Sequence, residues 1–264
     1  MIERSRRSIF MLKPNPRQEK VLELVQRQGY VSVEALSQRF GVTPQTVRRD
    51  INQLSDMGLV ERHHGGAGVT SSVQNVAYST RQVLCLDEKR RIATILAEHI
   101  PDHASLFINI GTTTEEAAKA LLNRNGLRII TNNLNVAGIM CSNPDFEVIV
   151  AGGVVRSRDK GIIGEPTIDL ISQFKVDVGI IGISGIDSDG ILLDFDYREV
   201  RVAQAIIENS RRVFLVADHT KFGRNAMVRL GQIDQVSALF TDRSPPAPIR
   251  DLLEKHSVEI FVAP

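Results

Sequence analysis

The chain contains no tryptophan and only two cysteines, Cys85 and Cys141, which lie far apart in the sequence. A disulfide framework needs several cysteines and a zinc knuckle needs closely spaced pairs, so the sequence predicts neither. No stretch of about 18 apolar residues is present, which argues against a membrane-spanning helix. The first residues are basic and lack the apolar run of a signal peptide, so we expect a cytoplasmic protein without a membrane partner.

Several sequence motifs of enzymes are also absent. The chain has no G-x-G-x-x-G, no G-x-x-x-x-G-K-[ST] and no G-x-S-x-G segment. These motifs bind dinucleotides, bind nucleoside triphosphates and hold the nucleophile of esterases, respectively. We therefore expect no cofactor and assign no catalytic residues.

The chain has almost no net charge, because 32 lysines and arginines against 31 aspartates and glutamates leave a net charge of +1. The distribution is uneven, with 11 basic and 7 acidic side chains in residues 1–68 and 21 and 24 in the remainder. A small basic module on a mildly acidic body is typical of a DNA-binding domain joined to a domain with another role. The length of 264 residues is sufficient for two domains.

Residues 14–69 are predicted to form a winged helix-turn-helix domain, with the helix-turn-helix at about residues 31–50. Ser32 is suited to cap a second helix that ends at Gly41, and Thr43 is suited to cap a third helix. That third helix would enter the major groove, where arginine and glutamine read bases. The alternative is an ordinary solvated helix face. The predicted DNA-binding residues are Thr43, Gln45, Thr46, Arg48, Arg49, His63 and His64.

His63 and His64 precede Gly65 and Gly66 in a segment that we expect to form a β-wing against the DNA backbone. The histidine pair also suggests a metal site, but the chain has no second cluster of ligands at a fitting local spacing. No metal is therefore predicted.

Residues 70–85 are predicted to be a linker and residues 86–264 an α/β domain. In this part, short runs rich in isoleucine and valine alternate with stretches of helical character such as 115–122 and 198–209. Such strands, separated by helices, indicate a mostly parallel sheet that is covered on both faces. The predicted strands are residues 106–110, 127–131, 146–151, 176–183, 213–217, 238–241 and 258–262.

The turn after the first of these strands has the composition of a phosphate-binding loop. Gly111 allows the backbone to approach an anion, the threonines that follow carry hydroxyl donors, and the next helix contributes N–H groups and a favourable dipole. A capped turn without a ligand would use the same residues. Polar residues follow other strands as well, and ligands of open parallel sheets bind at the carboxyl ends of strands. The predicted effector-binding residues are Gly111, Thr112, Thr113, Thr114, Asn132, Asn133, Asp187 and Lys221, with Lys221 as the charge on the phosphate.

One pattern in the amino-terminal part consists of Arg17, Val21, Val25, Thr43, Thr46, Val47, Arg48, Arg49, Asp50 and Ile51. It resembles the DNA-binding signature of the DeoR family of bacterial repressors. The resemblance extends through the chain in the stretches HHGGA, IGTT, TNNLNVA, RSRD, GIIGE, GISGIDSDG, AIIENSR and KFGRNAMV, which are similar to repressors of glycerol 3-phosphate metabolism. It implies a repressor that binds operator DNA as a dimer or tetramer and is released by a small phosphorylated effector, glycerol 3-phosphate.

The resemblance also implies that the body shares the fold of ribose-5-phosphate isomerase and related sugar-phosphate enzymes. Those enzymes use a carboxylate pair, a lysine- and glycine-rich segment and a later glutamate in proton transfer. Asp187 and Glu199 resemble part of that set, which adds Glu199 to the predicted effector site, but the sequence LLDFD at residues 192–196 replaces the lysine and glycines. Asn109 stands where family members often carry aspartate. With the catalytic set incomplete, we expect no enzymatic activity.

Two alternatives stay open from the sequence. The first is a sugar-phosphate isomerase or hydrolase with a nucleic-acid-binding appendage. The second is a protein–protein adaptor whose winged helix binds no DNA, which Arg48 and Arg49 make the weaker of the two.

Overall fold

The computed structural model describes residues 14–28, 30–56, 59–63, 65–68, 75 and 77–264. The chain divides into two compact units, Met1–Thr70 and Ser71–Pro264. His64, which was predicted to contact DNA, lies outside the described residues. Within the described ranges, no helix combines the length and apolar character that a membrane span requires.

The amino-terminal unit is a winged helix-turn-helix, as predicted. The side chain of Ser32 accepts a hydrogen bond from the Ala35 N–H at the start of the second helix, and Gly41 ends that helix in the left-handed conformation with φ of 62°. The helices are α1 (Pro16–Gln28), α2 (Val33–Phe40) and α3 (Pro44–Asp56), and the strands are β1 (Tyr30–Ser32), β2 (Glu61–His63) and β3 (Gly66–Gly68). The strands form an antiparallel sheet in the order β1-β3-β2, and we call the β2–β3 hairpin the wing.

The three helices enclose a small hydrophobic core. Val21 and Val25 lie one turn apart on α1, and Val47, Ile51 and Leu54 follow the same helical spacing on α3, so each helix buries one face. All five side chains are buried. The opposite face of α3 is thereby turned to solvent.

The carboxyl-terminal unit is built on a seven-stranded parallel sheet in the order β15-β14-β12-β9-β4-β5-β6. All seven predicted strands are confirmed, with ends that differ by up to three residues. Their bounds are β4 (Ser105–Ile108), β5 (Arg128–Thr131), β6 (Glu147–Val150), β9 (Val176–Gly182), β12 (Ser210–Val216), β14 (Ala238–Thr241) and β15 (Glu259–Val262).

Both faces of this sheet are covered. Along β12, Phe214 and Val216 belong to one buried cluster while Val213 and Leu215 belong to another, which is the alternation of a strand with a core on each face. The helices are α4 (Tyr78–Val83), α5 (Leu86–Glu98), α6 (Thr112–Ala120), α7 (Leu134–Met140), α8 (Glu165–Ile171), α9 (Tyr197–Glu208) and α10 (Ala247–Lys255).

Three features differ from the sequence-based prediction. Residues 78–83, placed in the linker, form α4. A hairpin of β7 (Val154–Val155) and β8 (Ile162–Ile163) follows β6. A second small antiparallel sheet consists of β10 (Gly185–Ile186), β11 (Ile191–Asp194) and β13 (Val228–Gln232). β7, β8 and β10 have only two residues each, too few to show a period of their own in the sequence.

Candidate functional site

The outer face of α3 carries the side chains that were predicted to read DNA. Thr43 caps the helix, because its Oγ1 accepts a hydrogen bond from the Thr46 N–H at 3.3 Å. Beyond this cap, Arg48 and Arg49 follow the buried Val47 and are exposed, which places them on the outer face of the helix. Asn52, which the sequence analysis did not single out, lies one turn beyond Arg48 on the same face. The exposed side chains of this face include Thr43, Gln45, Arg48, Arg49 and Asn52.

A buried carboxylate fixes α3 against α1. Arg17 donates from Nε to Oδ2 of Asp50 at 2.5 Å and from Nη2 to Oδ1 at 3.1 Å, and Asp50 is buried. This side-chain hydrogen bonding raises the pKa of the Arg17 guanidinium. Two parallel hydrogen bonds restrict orientation as well as distance, so the pair sets how α3 is presented.

In the wing, the exposed side chain is that of Arg62, whereas the predicted DNA contact in the same strand was His63. The His63 side chain is largely buried and its ring lies edge-on to Tyr30, with ring centroids 5.8 Å apart. Gly66 is required here because a Cβ would overlap the Tyr30 hydroxyl and the Val31 carbonyl oxygen. The exposed cation of this strand is Arg62, which lines a groove together with Gln45 and His63. Arg62 is therefore better placed than His63 to contact a phosphate.

A second candidate site lies where the strand order of the parallel sheet reverses. The chain proceeds from β4 through β5 to β6 in one direction and from β9 through β12 and β14 to β15 in the other. The carboxyl ends of β4 and β9 therefore open onto a crevice, the usual ligand position in this kind of sheet. A cavity of about 30 Å³ occupies it, and we call this the inner cavity. It is bounded by residues 110–113 and 182–184 and by the side chains of Arg81, Asp194, Glu199 and Lys221.

One group of residues in the inner cavity suits an anion. Gly111, Thr112 and Thr113 line it at the amino terminus of α6, where the first backbone N–H groups have no partner within the helix. Lys221 adds a cation whose Nζ lies 3.8 Å from a carboxylate oxygen of Asp218. Burial lowers the pKa of Lys221, while the negative charge of Asp218 acts in the opposite direction.

Two carboxyl groups share the same cavity. Asp194 is buried and accepts a hydrogen bond from the Ser184 hydroxyl at 3.1 Å, and Glu199 lies 2.8 Å from the Arg156 guanidinium. Burial raises the pKa of Asp194. Burial and the neighbouring charge of Asp194 raise the pKa of Glu199 to about 7, while Arg156 acts against this rise. Carboxyl groups of this kind can form hydrogen bonds with the hydroxyls of a polyol.

A larger, open cavity of about 700 Å³ adjoins the inner one, and we call it the outer cavity. The two share Arg81, Asp194 and Glu199 in their linings. The outer cavity is further bordered by Tyr78 and by Asp196. Its volume lies within the range of about 300–1,000 Å³ that is usual for small-molecule sites.

Comparison with known proteins places this geometry in a family. Residues 17–73 match the model of the DeoR-like helix-turn-helix domain, and residues 85–243 match the model of the DeoR C terminal sensor domain. The chain belongs to the DeoR family. It is similar to the glycerol-3-phosphate regulon repressor of Escherichia coli K12, with 55% identity over 249 residues that cover 94% of this chain and 99% of that protein.

One solved structure shows a likeness of fold. A translation initiation factor eIF-2B chain from Pyrococcus horikoshii OT3 is similar with a TM-score of 0.53 and 16% identity, over 90% of this chain and 99% of that one. Ribose 5 phosphate isomerase A from Neisseria gonorrhoeae has a TM-score of 0.39 and 14% identity over 55% of each chain.

Several residues predicted to bind the effector do not line the inner cavity of this DeoR-family chain. The Thr114 hydroxyl donates to the carbonyl oxygens of Asn109 and Gly111, each at 2.8 Å, and so braces the loop from within. Asn132 donates to the Ile162 carbonyl oxygen at 3.0 Å, and Asn133 donates to Glu115 at 3.0 Å. These three side chains do not face the inner cavity but hold neighbouring segments together by hydrogen bonds.

Asp187 is placed away from the inner cavity, contrary to the sequence-based prediction. It is exposed in the turn between β10 and β11, where its backbone closes the turn with Gly190. The antiparallel hairpin then returns the chain, and Asp194 at the end of β11 arrives beside Ser184. Asp194, and not Asp187, lines the inner cavity. The sequence DSDG at residues 187–190 is a turn signal that could have revealed this hairpin.

Proposed function

We propose that this chain is a cytoplasmic, operator-binding repressor of genes of glycerol 3-phosphate metabolism, without enzymatic activity, and that glycerol 3-phosphate releases it from DNA. The observation that carries the proposal is the inner cavity, in which a helix amino terminus and the Lys221 ammonium meet two carboxyl groups. A phosphate suits the first two, and the hydroxyls of a glycerol moiety suit the last. The identity to the E. coli protein supports the choice of ligand.

The DNA-binding half of the proposal rests on α3. Its exposed Gln45, Arg48 and Arg49 have the donors that read adenine and guanine edges in the major groove. Thr43, Thr46 and the wing are suited to phosphates, which fix the position of the domain without reading sequence. A dimer or tetramer would present two such helices roughly 34 Å apart, one turn of DNA.

Release by a ligand requires that the ligand bind the DNA-free state more tightly than the DNA-bound state. By linkage, operator DNA must then weaken ligand binding by the same factor. A coupling of about 1–3 kcal/mol, or roughly 5- to 150-fold, is typical of such proteins.

The test is a fluorescence anisotropy titration of the full chain against DNA from upstream of glycerol-uptake genes, with and without millimolar glycerol 3-phosphate. Glycerol and inorganic phosphate serve as matched controls, since each carries only half of the ligand. Specific binding that glycerol 3-phosphate weakens, and that the controls do not, supports the proposal. Equal operator affinity with and without glycerol 3-phosphate rejects this effector, and absence of specific DNA binding rejects the repressor.

One observation favours a second candidate, a sugar-phosphate isomerase or hydrolase. Glu199, with its pKa raised to about 7, has the acidity of a general base in a cavity that also contains Asp194 and Lys221. Against this, Arg156 holds the Glu199 carboxylate at 2.8 Å. Turnover of any phosphosugar that Glu199→Gln abolishes would establish the enzyme.

A further inference from the structure

The helix α4 is attached to the carboxyl-terminal unit by polar contacts. The Tyr78 hydroxyl donates to Oε2 of Glu115 at 2.7 Å and accepts a hydrogen bond from Nδ2 of Asn135 at 2.8 Å. Near the other end of the helix, Nζ of Lys89 donates to the carbonyl oxygen of Arg81. Of the described side chains of α4, at positions 78, 79 and 81–83, none is buried. Six residues are too few for a helix to be stable alone, so these contacts set its position.

The same helix carries a cation into the effector site. Arg81 lines both the inner and the outer cavity, together with Asp194 and Glu199. Its charge lowers the pKa of both carboxyl groups against the larger effect of burial, and it also lowers the pKa of Lys221. Arg81 is therefore within electrostatic reach of every ionisable group of the inner cavity.

A phosphate in the inner cavity would change the forces on Arg81. A bound phosphate ester carries close to two negative charges and three acceptor oxygens, and a guanidinium can bind it through two parallel hydrogen bonds. The phosphate would compete with Asp194 and Glu199 for Arg81. Because α4 has no described side chain buried in the core, a movement of the helix with Arg81 would break the hydrogen bonds of Tyr78 and of the Arg81 carbonyl oxygen but would leave the core packing intact.

The position of α4 in the sequence gives such a movement a consequence. It is the first helix after residues 71–77, through which the carboxyl-terminal unit continues from the amino-terminal one. A shift of α4 would therefore move the point at which the carboxyl-terminal unit joins the segment that leads to the DNA-binding domain.

We propose that Arg81 binds the phosphate of the effector and that α4, drawn by Arg81, couples occupancy of the inner cavity to release of DNA. This rests on the proposed function. Lys221 contributes affinity to the same phosphate but lies in the turn after β12, outside α4. Loss of either side chain should weaken binding of the effector, but only loss of Arg81 should weaken the effect of the effector on operator affinity. Measuring effector affinity and operator affinity separately therefore distinguishes the two residues.

The experiment uses the full chain and glycerol 3-phosphate as probe. Isothermal titration gives the Kd of the probe for the wild type, Arg81→Gln, Arg81→Lys, Lys221→Gln and Val83→Gln. Operator Kd is then measured without the probe and at a saturating concentration chosen from each variant's own Kd. The ratio of the two operator Kd values is the coupling. Val83→Gln is the matched control, since Val83 lies on the same helix with its side chain exposed.

We expect Arg81→Gln and Lys221→Gln each to weaken probe binding by at least about tenfold, as loss of a charged hydrogen bond does. At saturation Lys221→Gln should keep the wild-type coupling ratio, whereas Arg81→Gln should bring it to within about twofold of one. Arg81→Lys should fall between, and Val83→Gln should match the wild type. Thermal unfolding of each variant verifies folding.

A wild-type coupling ratio in saturated Arg81→Gln would overturn this inference and leave the proposed function intact. If operator binding by the wild type itself ignores the probe, the proposed function fails and this inference fails with it.

Discussion

The guanidinium of Arg17 in α1 and the carboxylate of Asp50 in α3 form two parallel hydrogen bonds, of 2.5 and 3.1 Å, at the edge of the helix-turn-helix core. Both residues belong to the DeoR-like signature, yet neither is an exposed reader of DNA on α3. Part of the signature therefore fixes the orientation of α3 relative to α1.

The Asp50→Asn variant tests this role. An amide can accept only one of the two hydrogen bonds and carries no charge, so we expect the amino-terminal unit to lose about 1–3 kcal/mol of stability. Operator affinity should fall in parallel. Hydrogen exchange in α1 and α3 and operator titration measure the two effects. Arg128→Ala is the control, because the ion pair of Arg128 with Glu147 is exposed on both sides and is expected to contribute less than about 1 kcal/mol. Reduced operator affinity with unchanged exchange would show that Asp50 acts on DNA directly.

Arg48→Ala should weaken operator binding and relax its specificity by about 1–3 kcal/mol at the base pair that it reads. Arg211→Ala is a matched control at an exposed position of the carboxyl-terminal unit. Competition titrations with operators changed at single base pairs give the specificity profile. A uniform loss across all operators would assign Arg48 to the DNA backbone instead.

The placement of Asp194 and Asp187 leads to a comparison within the effector site. We expect Asp187→Asn to leave glycerol 3-phosphate binding unchanged, because Asp187 is exposed in a turn away from the inner cavity. Asp194→Asn should alter the affinity, since the Asp194 carboxyl lines the cavity beside Ser184. Calorimetric titration of both variants with glycerol 3-phosphate measures the two affinities. Equal changes in affinity would contradict the placement of Asp194 in the cavity and of Asp187 outside it.

The buried Lys89 makes stability depend on pH. Burial lowers the pKa of Lys89 from 10.5 to about 8, with the charge of Lys221 acting in the same direction. Below pH 8 both the folded and the unfolded state hold the proton, and the folded state carries a cost of about 3 kcal/mol. From pH 8 to about 10.5 only the unfolded state holds it, so the free energy of unfolding rises by that amount relative to a chain without this lysine.

The Lys89→Met variant should lack that rise. Urea unfolding of the wild type and Lys89→Met between pH 7 and 10 measures the difference in free energy of unfolding, which should grow in favour of the wild type as pH increases. Lys255→Met, at an exposed position of α10, controls for the loss of one positive charge. If the free energy of unfolding changes equally with pH in the wild type and in Lys89→Met, the pKa of Lys89 is not lowered in the folded state.

The sequence predicts the parallel sheet well because each strand is an apolar run that needs only local information. It also predicts the caps at Ser32 and Gly41, where one side chain or one backbone conformation decides the boundary. The effector site is different, since the contact between Ser184 and Asp194 depends on the pairing of two very short strands. Arg81 was missed because α4 contributes no described buried side chain and so shows no apolar pattern.

The size of the inner cavity has a kinetic consequence. A volume of about 30 Å³ admits only one or two water molecules and no polyol phosphate. Binding of glycerol 3-phosphate there would therefore require the inner cavity to widen, and the observed affinity would be reduced by the free energy of that widening. Association of the ligand should be correspondingly slower than entry into a cavity that is already open.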